Sequence, residues 1–215
     1  NEVKIDEARL AGNGTVARHA IALSARSGEI TVAAAAAGAW KAGAWKGTLD
    51  SFKLGGRVPV QLLQPVPVLL DGGHVLAGPA QFALLESILD VDSLEMRDRK
   101  LVASQGSFRG LAISRLLALS GRKLPGHATL KLAGDWSVED GAERKGTLSV
   151  RRESGDVVLG EGDELALGIE TLAFDARLAG GRIDAVARIR SKRADGTLEG
   201  SVAALADGRF AGESP

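Results

Sequence analysis

Apolar and polar residues alternate with a period of two along most of this chain, most plainly between Leu124 and Leu159. Ala128, Leu130, Leu132, Trp136 and Val138 share one parity, with Gly134 among them, while Thr129, Lys131, Asp135, Ser137 and Glu139 hold the other. That period predicts a β-strand with one apolar face and one wet face. Asp140-Gly141 signals a turn, after which Leu148 and Val150 resume the alternation. Ser154-Gly155 turns again before Val157 and Leu159. The same grammar runs through the first half. Val3 and Ile5 open a strand that Asn13-Gly14 is expected to turn. Ile21, Leu23 and Ala25 carry the next strand, which ends at Ser27-Gly28, and Ile30, Val32 and Ala34 the one after it. The Ala33–Ala37 run favours helix on propensity, but its β-branched lead-in and the following Gly38 and Gly43 predict a strand of small side chains.

A near-repeat, Gly38-Ala39-Trp40-Lys41 and Gly43-Ala44-Trp45-Lys46, places two tryptophans that read as packing residues. Phe52 and Leu54 lead to a turn at Gly55-Gly56. Pro65 and Pro67 make Val60–Leu70 an edge strand or an irregular crossing, because proline cannot donate to a central ladder. Asp71-Gly72-Gly73 turns, and Phe82 to Arg109 reads as about three short strands.

Leu111–Leu119 breaks the period and predicts a short helix, stopped by a left-handed residue at Gly121 and barred from continuing by Pro125. Further on, Leu165, Leu167 and Ile169 are odd, whereas Leu172, Phe174, Ala176 and Leu178 are even. This parity switch demands a bulge or turn near Glu170-Thr171. Gly180-Gly181, Asp195-Gly196 and Asp207-Gly208 punctuate the remaining strands, carried by Ile183, Ala185, Ala187, Ile189, Leu198 and Val202. The expectation is a mainly β chain: one elongated unit over 1–215, with possible sub-units 1–110 and 111–215, and one short helix near 111–120.

Composition narrows this picture. Hydrophobic residues make up 45% of 215, enough for a core, but aromatics are only 4% and tyrosine is absent. Lys+Arg and Asp+Glu are both 27, so no basic surplus points to nucleic acid. The absence of cysteine removes disulfides and thiolate metal sites. No apolar run approaches the ~18 residues of a membrane span, and no signal peptide is recognisable. Asn at position 1 leads to the expectation of a segment from a longer or processed chain.

Candidate chemistry is sparse. His19, His74 and His127 are far apart in sequence, and no metalloprotease, nucleophile-elbow or phosphate-loop pattern occurs. Gly12-Asn13-Gly14-Thr15-Val16-Ala17 imitates a dinucleotide fingerprint. The strand before it, however, carries Lys4, Asp6, Glu7 and Arg9, and no βαβ series follows, so a hairpin turn is the simpler reading. Asp90, Asp92, Glu95 and Asp98 lack the spacing of a calcium loop and are interleaved with Arg97, Arg99 and Lys100. No enzyme activity, cofactor or metal is expected.

The succession of motifs carries a resemblance. Trp45-x-Gly47-x-Leu49 precedes the short helix, and Leu130-x-Leu132-x-Gly134-x-Trp136 follows it. Then come Gly146-x-Leu148-x-Val150-x-Arg152-Glu153-Ser154-Gly155-Asp156-Val157, Leu165-Ala166-Leu167-Gly168-Ile169, and Gly196-x-Leu198-x-Gly200. This resembles the internal part of the TamB family, inner-membrane components of the translocation and assembly module, within the AsmA-like bridge-like lipid-transfer proteins. The resemblance covers most of the chain, best from Trp45 onward, and rests on turn and packing residues. It implies a long, curved antiparallel sheet folded into an open apolar groove, a β-taco. It also implies a periplasmic location within a parent chain anchored in the inner membrane of a Gram-negative bacterium, a TamA-like outer-membrane barrel as partner, and roles in phospholipid transport and outer-membrane protein assembly.

On that reading phospholipid acyl chains lie against an uncharged face. The expected lining is Leu130, Leu132, Trp136, Leu148, Val150, Leu167, Ile169, Phe174, Leu178, Ile183, Ile189, Leu198 and Val202. The alternative for these side chains is a closed core. The alternative function is a scaffold or chaperone that engages outer-membrane protein clients, or a partner barrel, by strand addition.

Overall fold

The computed structural model describes residues 4–122, 124–141, 143–160, 164–193, 195–204 and 210–212, with side chains outside the described set at 198, 199 and from 201 onward. The protein is mainly β with one short helix. It divides into two compact units, 1–104 and 105–215.

Unit 1 begins as a meander of β1 (Glu7–Thr15), β2 (Arg18–Ser27), β3 (Ile30–Lys41) and β4 (Ala44–Gly55). Each strand pairs antiparallel with the next, and the alternation seen in the sequence sets the register: Leu10 opposes Leu23, Leu23 opposes Ala34, and Trp40 opposes Trp45. The first turn is not at Asn13-Gly14. β1 runs on to Thr15, which pairs with Arg18 across Val16-Ala17. A turn two residues wide at Asn13-Gly14 would set Leu10 against Ala17, whereas the observed one sets it against Leu23, a better cross-strand apolar pair. Gly14 stays in the strand with φ 108°, where a Cβ would collide with the Arg18 carbonyl.

Between Ala35 and Ala36 the β3–β4 register shifts: Ala35 opposes Ser51 and Ala36 opposes Leu49, so Asp50 is the extra residue of a bulge. There β4 changes partners. Its first half pairs with β6 (Val66–Asp71) and its second half with β5 (Val60–Leu62). The two branches continue through β7 (His74–Ala77) and β8 (Ala80–Leu84), and both end on β9 (Ser87–Arg97). The proline-containing Val60–Leu70 stretch is therefore two short strands. Pro67 lies in an inner strand, at the end of a ladder: its carbonyl accepts Gly78 N–H at 3.3 Å, and the chain departs before a return bond is needed. β10 (Lys100–Ala112) crosses the boundary between the units.

Unit 2 contains α1 (Ile113–Leu119), β11 (Gly126–Ala128), β12 (Lys131–Asp140), β13 (Arg144–Ser154), β14 (Val157–Leu159), β15 (Leu165–Ala166), β16 (Ile169–Ala179), β17 (Arg182–Ser191), β18 (Asp195–Ala204) and β19 (Phe210–Gly212). β12, β13, β16, β17, β18 and β19 pair in that order, while β11, β14 and β15 form a small separate sheet. The helix is shorter than its apolar residues suggest, because Leu111 and Ala112 finish β10. It stops as expected: Gly121 adopts φ 71°, and Arg122 N–H reaches back to the Leu117 carbonyl at 3.1 Å. The parity switch after Ile169 is a register shift between Ile169 and Thr171. Asp195-Gly196 does not turn; it starts β18, with Asp195 opposite Arg190 and Gly196 opposite Ile189. Asp207-Gly208 lies outside the described residues.

Asp156 ties the closed end of unit 2. Its carboxylate accepts Gly168 N–H at 2.9 Å and Ile169 N–H at 3.0 Å, and its main-chain carbonyl accepts Thr129 and Leu130 N–H. These bonds bring Leu130 and Ile169 together beside Leu132, with Phe108, Leu111, Ile113, Val150, Val157, Leu167 and Leu172 packed around them. The Ile169 N–H bond, helped by those of Val157 and Gly168 and by the Arg152 charge, outweighs desolvation and holds the Asp156 carboxyl below its ordinary value of 3.8. A carboxyl with a lowered folded-state pKa contributes stability that is complete above the ordinary value and is lost as pH falls through the folded one. Asp156→Ala is therefore expected to cost about 1–3 kcal/mol, since it orphans a buried N–H. Urea titrations at neutral pH should show that loss, and the gap between variant and parent should narrow as the pH is taken below 3.8.

Candidate functional site

Register places one apolar face across the strands of unit 1. Leu10, Leu23, Ala34 and Phe52 follow one another across β1 to β4. Gly12, Ile21, Ala36, Leu49 and Val66 form the next row, and Trp40, Trp45, Leu70, Val75 and Met96 another. No Asp, Glu, Lys or Arg occupies a register position of this face from β1 to β8. The opposite face carries Glu7, Arg9, Arg18, Arg26, Lys46, Lys53 and Glu95.

This apolar face is only partly covered. Trp45 is 7% exposed and Val66 2%, but Leu10 is 74%, Trp40 47%, Leu23 42% and Ile21 41% exposed. Full burial of such side chains is worth about 1.5–3 kcal/mol each, so the first three strands leave most of that gain unrealised. The whole chain exposes 14505 Å². Two independent globular units of half its mass would together expose roughly 11,300 Å². Contiguous apolar surface of this kind marks an interaction site.

Trp45 is the fixed point of the face. Its indole lies over Gly38 and Gly47, which oppose each other on β3 and β4; a Cβ on either would sit 2.5 Å from ring atoms. Its Nε1–H donates to His19 Nε2 at 2.8 Å, while His19 Nδ1 lies 3.1 Å from the Thr15 carbonyl. An indole N–H only donates and a carbonyl only accepts, so these two contacts fit the tautomer with its proton on Nδ1. Both imidazole nitrogens are thereby engaged. Around this pair is a concavity of about 460 Å³ lined by His19, Ile21, Ala36, Trp40, Trp45, Leu49, Val68, Leu70, Val75 and Ala77. The volume lies within the ~300–1,000 Å³ of small-molecule sites.

Unit 2 has its own apolar face. Val138, Gly146, Leu178 and Ile183 make one row, Trp136, Leu148, Ala176 and Ala185 a second, and Gly134, Val150, Phe174 and Ala187 a third. The Phe108 ring covers Gly134, where a Cβ would lie 2.7 Å away. The other face carries Asp135, Arg151, Asp175 and Arg188 in cross-strand ion pairs of 3.3–3.4 Å. These are exposed and worth little to stability, but they keep that face in water. One cation, Arg152, interrupts the apolar parity opposite Leu132 and turns its Nε–H to the Gly155 carbonyl.

The residues expected to line a groove fall into distinct environments. Leu130, Leu132 and Ile169 are buried in the closed cluster, and Val150 and Leu167 pack against it. Trp136, Phe174, Leu178 and Ile183 are half-buried, while Leu148 and Ile189 are exposed. Leu198 and Val202 stand on β18 with side chains outside the described residues. A wide-open apolar surface lies apart from all of these expected lining residues, around Ile21, Leu23 and Trp40. Its signals are the strict alternation of β2 and the tryptophan repeat, of which Trp45 is a packing residue and Trp40 is not. Among the described residues no group of three or more metal-ligating side chains converges. No family model matches this chain, nor does any curated protein or solved structure.

Proposed function

We propose that this chain is a periplasmic segment of a TamB-like bridge protein, anchored through its parent chain in the inner membrane of a Gram-negative bacterium. Its apolar face shelters phospholipid acyl chains in transit between the membranes. The observation that carries this reading is the uncharged, uncovered apolar face of unit 1, from Leu10 through Ile21 and Leu23 to Trp40. Such a face lacks the donors that fix a polar ligand, and it suits hydrocarbon, which gains about 0.8 kcal/mol per buried CH₂ without directional contacts. A TamA-like barrel would receive the lipid, and support of outer-membrane protein assembly belongs to the same proposal.

The test is rebinding. Purified protein stripped of lipid is mixed with phospholipid vesicles, re-isolated, extracted and weighed by mass spectrometry. Stoichiometric phospholipid is expected whichever headgroup the vesicles carry. Protein that stays lipid-free across the headgroup series contradicts the proposal.

A second reading has its own support. Among the described residues β1 pairs only on its β2 side, all nine of its residues are exposed, and it contains no proline. An unprotected edge of this kind accepts an added strand from a client or partner barrel. Charge placed on the apolar face separates the two readings: it blocks lipid binding and leaves edge pairing intact.

A further inference from the structure

Resting on the acyl-chain reading for its tail alone, we propose that unit 2 carries a seat for a single-chain amphiphile with a phosphate head. The phosphate lies at Arg122, His127 and the free edge of β11, and the chain lies over Leu117 and Leu124. The seat is a concavity of about 550 Å³, within the ~300–1,000 Å³ of small-molecule sites. Leu117 and Ala118 of α1 line one side, Gly126, His127 and Ala128 of β11 the other, with Arg122 and Leu124 on the link between them. Leu117 and Leu124 are half-buried and supply apolar wall. Arg122 and His127 are exposed, and neither side chain has a partner among the described residues. Cation and hydrocarbon surface thus line one and the same concavity.

Main-chain donors converge there too. β11 is the end strand of the small sheet and pairs only with β14 among the described residues. Gly160 N–H donates to the Pro125 carbonyl and Thr129 N–H to the Asp156 carbonyl, so residues 125, 127 and 129 spend their main-chain groups on the β14 side. Gly126 and Ala128 direct theirs to the outer edge. On that edge the Leu130 carbonyl accepts Ile113 N–H at 3.0 Å, which holds the start of α1 alongside. The Gly126 and Ala128 amides therefore face the α1 side, where the concavity lies. The charge here has one sign. The balanced total hides a local excess: from Gln105 to Gly134 the chain carries Arg109, Arg115, Arg122, Lys123 and Lys131 and no Asp or Glu. On the small sheet, the Asp156 carboxylate is taken by Gly168 and Ile169, and Glu164 stands before β15, two strands from β11. A phosphate gains charge-assisted bonds from guanidinium, imidazole and amide N–H groups at this place.

Amide chemical shifts of the nitrogen-15-labelled protein test this. The probes are decyl phosphate, monodecanoylglycerol and inorganic phosphate, the two amphiphiles below their micelle concentrations. Decyl phosphate is expected to shift the Gly121, Gly126 and Ala128 amides saturably, with monodecanoylglycerol binding more weakly at the same place. Arg122→Ala/His127→Ala removes two exposed side chains and should weaken decyl phosphate about tenfold while leaving monodecanoylglycerol unchanged. Equal weakening of both amphiphiles, or of neither, overturns the phosphate assignment. Inorganic phosphate bound as tightly as decyl phosphate overturns the assignment of the chain to Leu117 and Leu124. Shifts confined to Ile21, Leu23 and Trp40 overturn the seat while leaving the acyl-chain reading standing. Absence of shifts with every probe, with no lipid recovered on rebinding, defeats both.

Discussion

An Ile21→Asp variant is expected to fold as the parent does and to lose acyl-chain binding about a hundredfold. Ile21 lines the concavity yet is 41% exposed. Its replacement leaves no closed cavity, and the stability cost stays within about 1 kcal/mol, mostly the poor strand preference of aspartate. Binding responds differently, because seating hydrocarbon beside the carboxylate would strip its water with no partner to replace it. That penalty is about 3 kcal/mol. Ala22→Asp is the control: it is the next residue on the same strand, exposed and on the charged face, so binding should be unaffected. The two variants, compared by urea midpoint and by quenching with a brominated chain, separate loss of fold from loss of site. Equal binding by both contradicts the assignment of the apolar face as the lipid surface.

Trp45→Ala is expected to be the most destabilising single change in unit 1, by about 3–5 kcal/mol. The indole is 7% exposed, fills the space over Gly38 and Gly47, and donates to His19 Nε2. The two glycines make relaxation difficult: having no side chains, they cannot swing into the void. Trp40→Ala, one cross-strand position away, should cost under about 2 kcal/mol, since Trp40 is 47% exposed. Urea unfolding followed by circular dichroism checks the contrast. Similar losses for the two variants would mean that Trp40 is as much a packing residue as Trp45, and that the face is less open than described.

Local pattern carried much of the fold into view. Strict alternation gives the strands on both sides of Gly180-Gly181, the parity change after Ile169 gives the bulge, and Gly121 gives the end of the helix. Partners distant in sequence were less legible. Nothing near Asp50 announces that β4 changes neighbours there, because the choice depends on where Val60–Leu62 and Val66–Asp71 return. Asn13-Gly14 carries a strong turn signal that cross-strand pairing of Leu10 with Leu23 overrides. Openness is harder still to read. Leu132 and Leu148 share one parity and one kind of strand, yet Leu132 is 8% exposed and Leu148 37%. The difference lies in Leu130 and Ile169, which Asp156 draws over one end of the sheet and not the other.

If lipid meets this chain on its apolar face, face-selective photocrosslinking in the cell envelope will capture it there. A benzophenone amino acid is placed in turn at Ala22, Leu23 and Ser24, consecutive residues of one exposed strand whose side chains alternate between the two faces. Phospholipid adducts at Leu23, with none at Ala22 or Ser24, are the predicted result. Adducts of equal yield at all three positions, or protein adducts alone at Leu23, would contradict it.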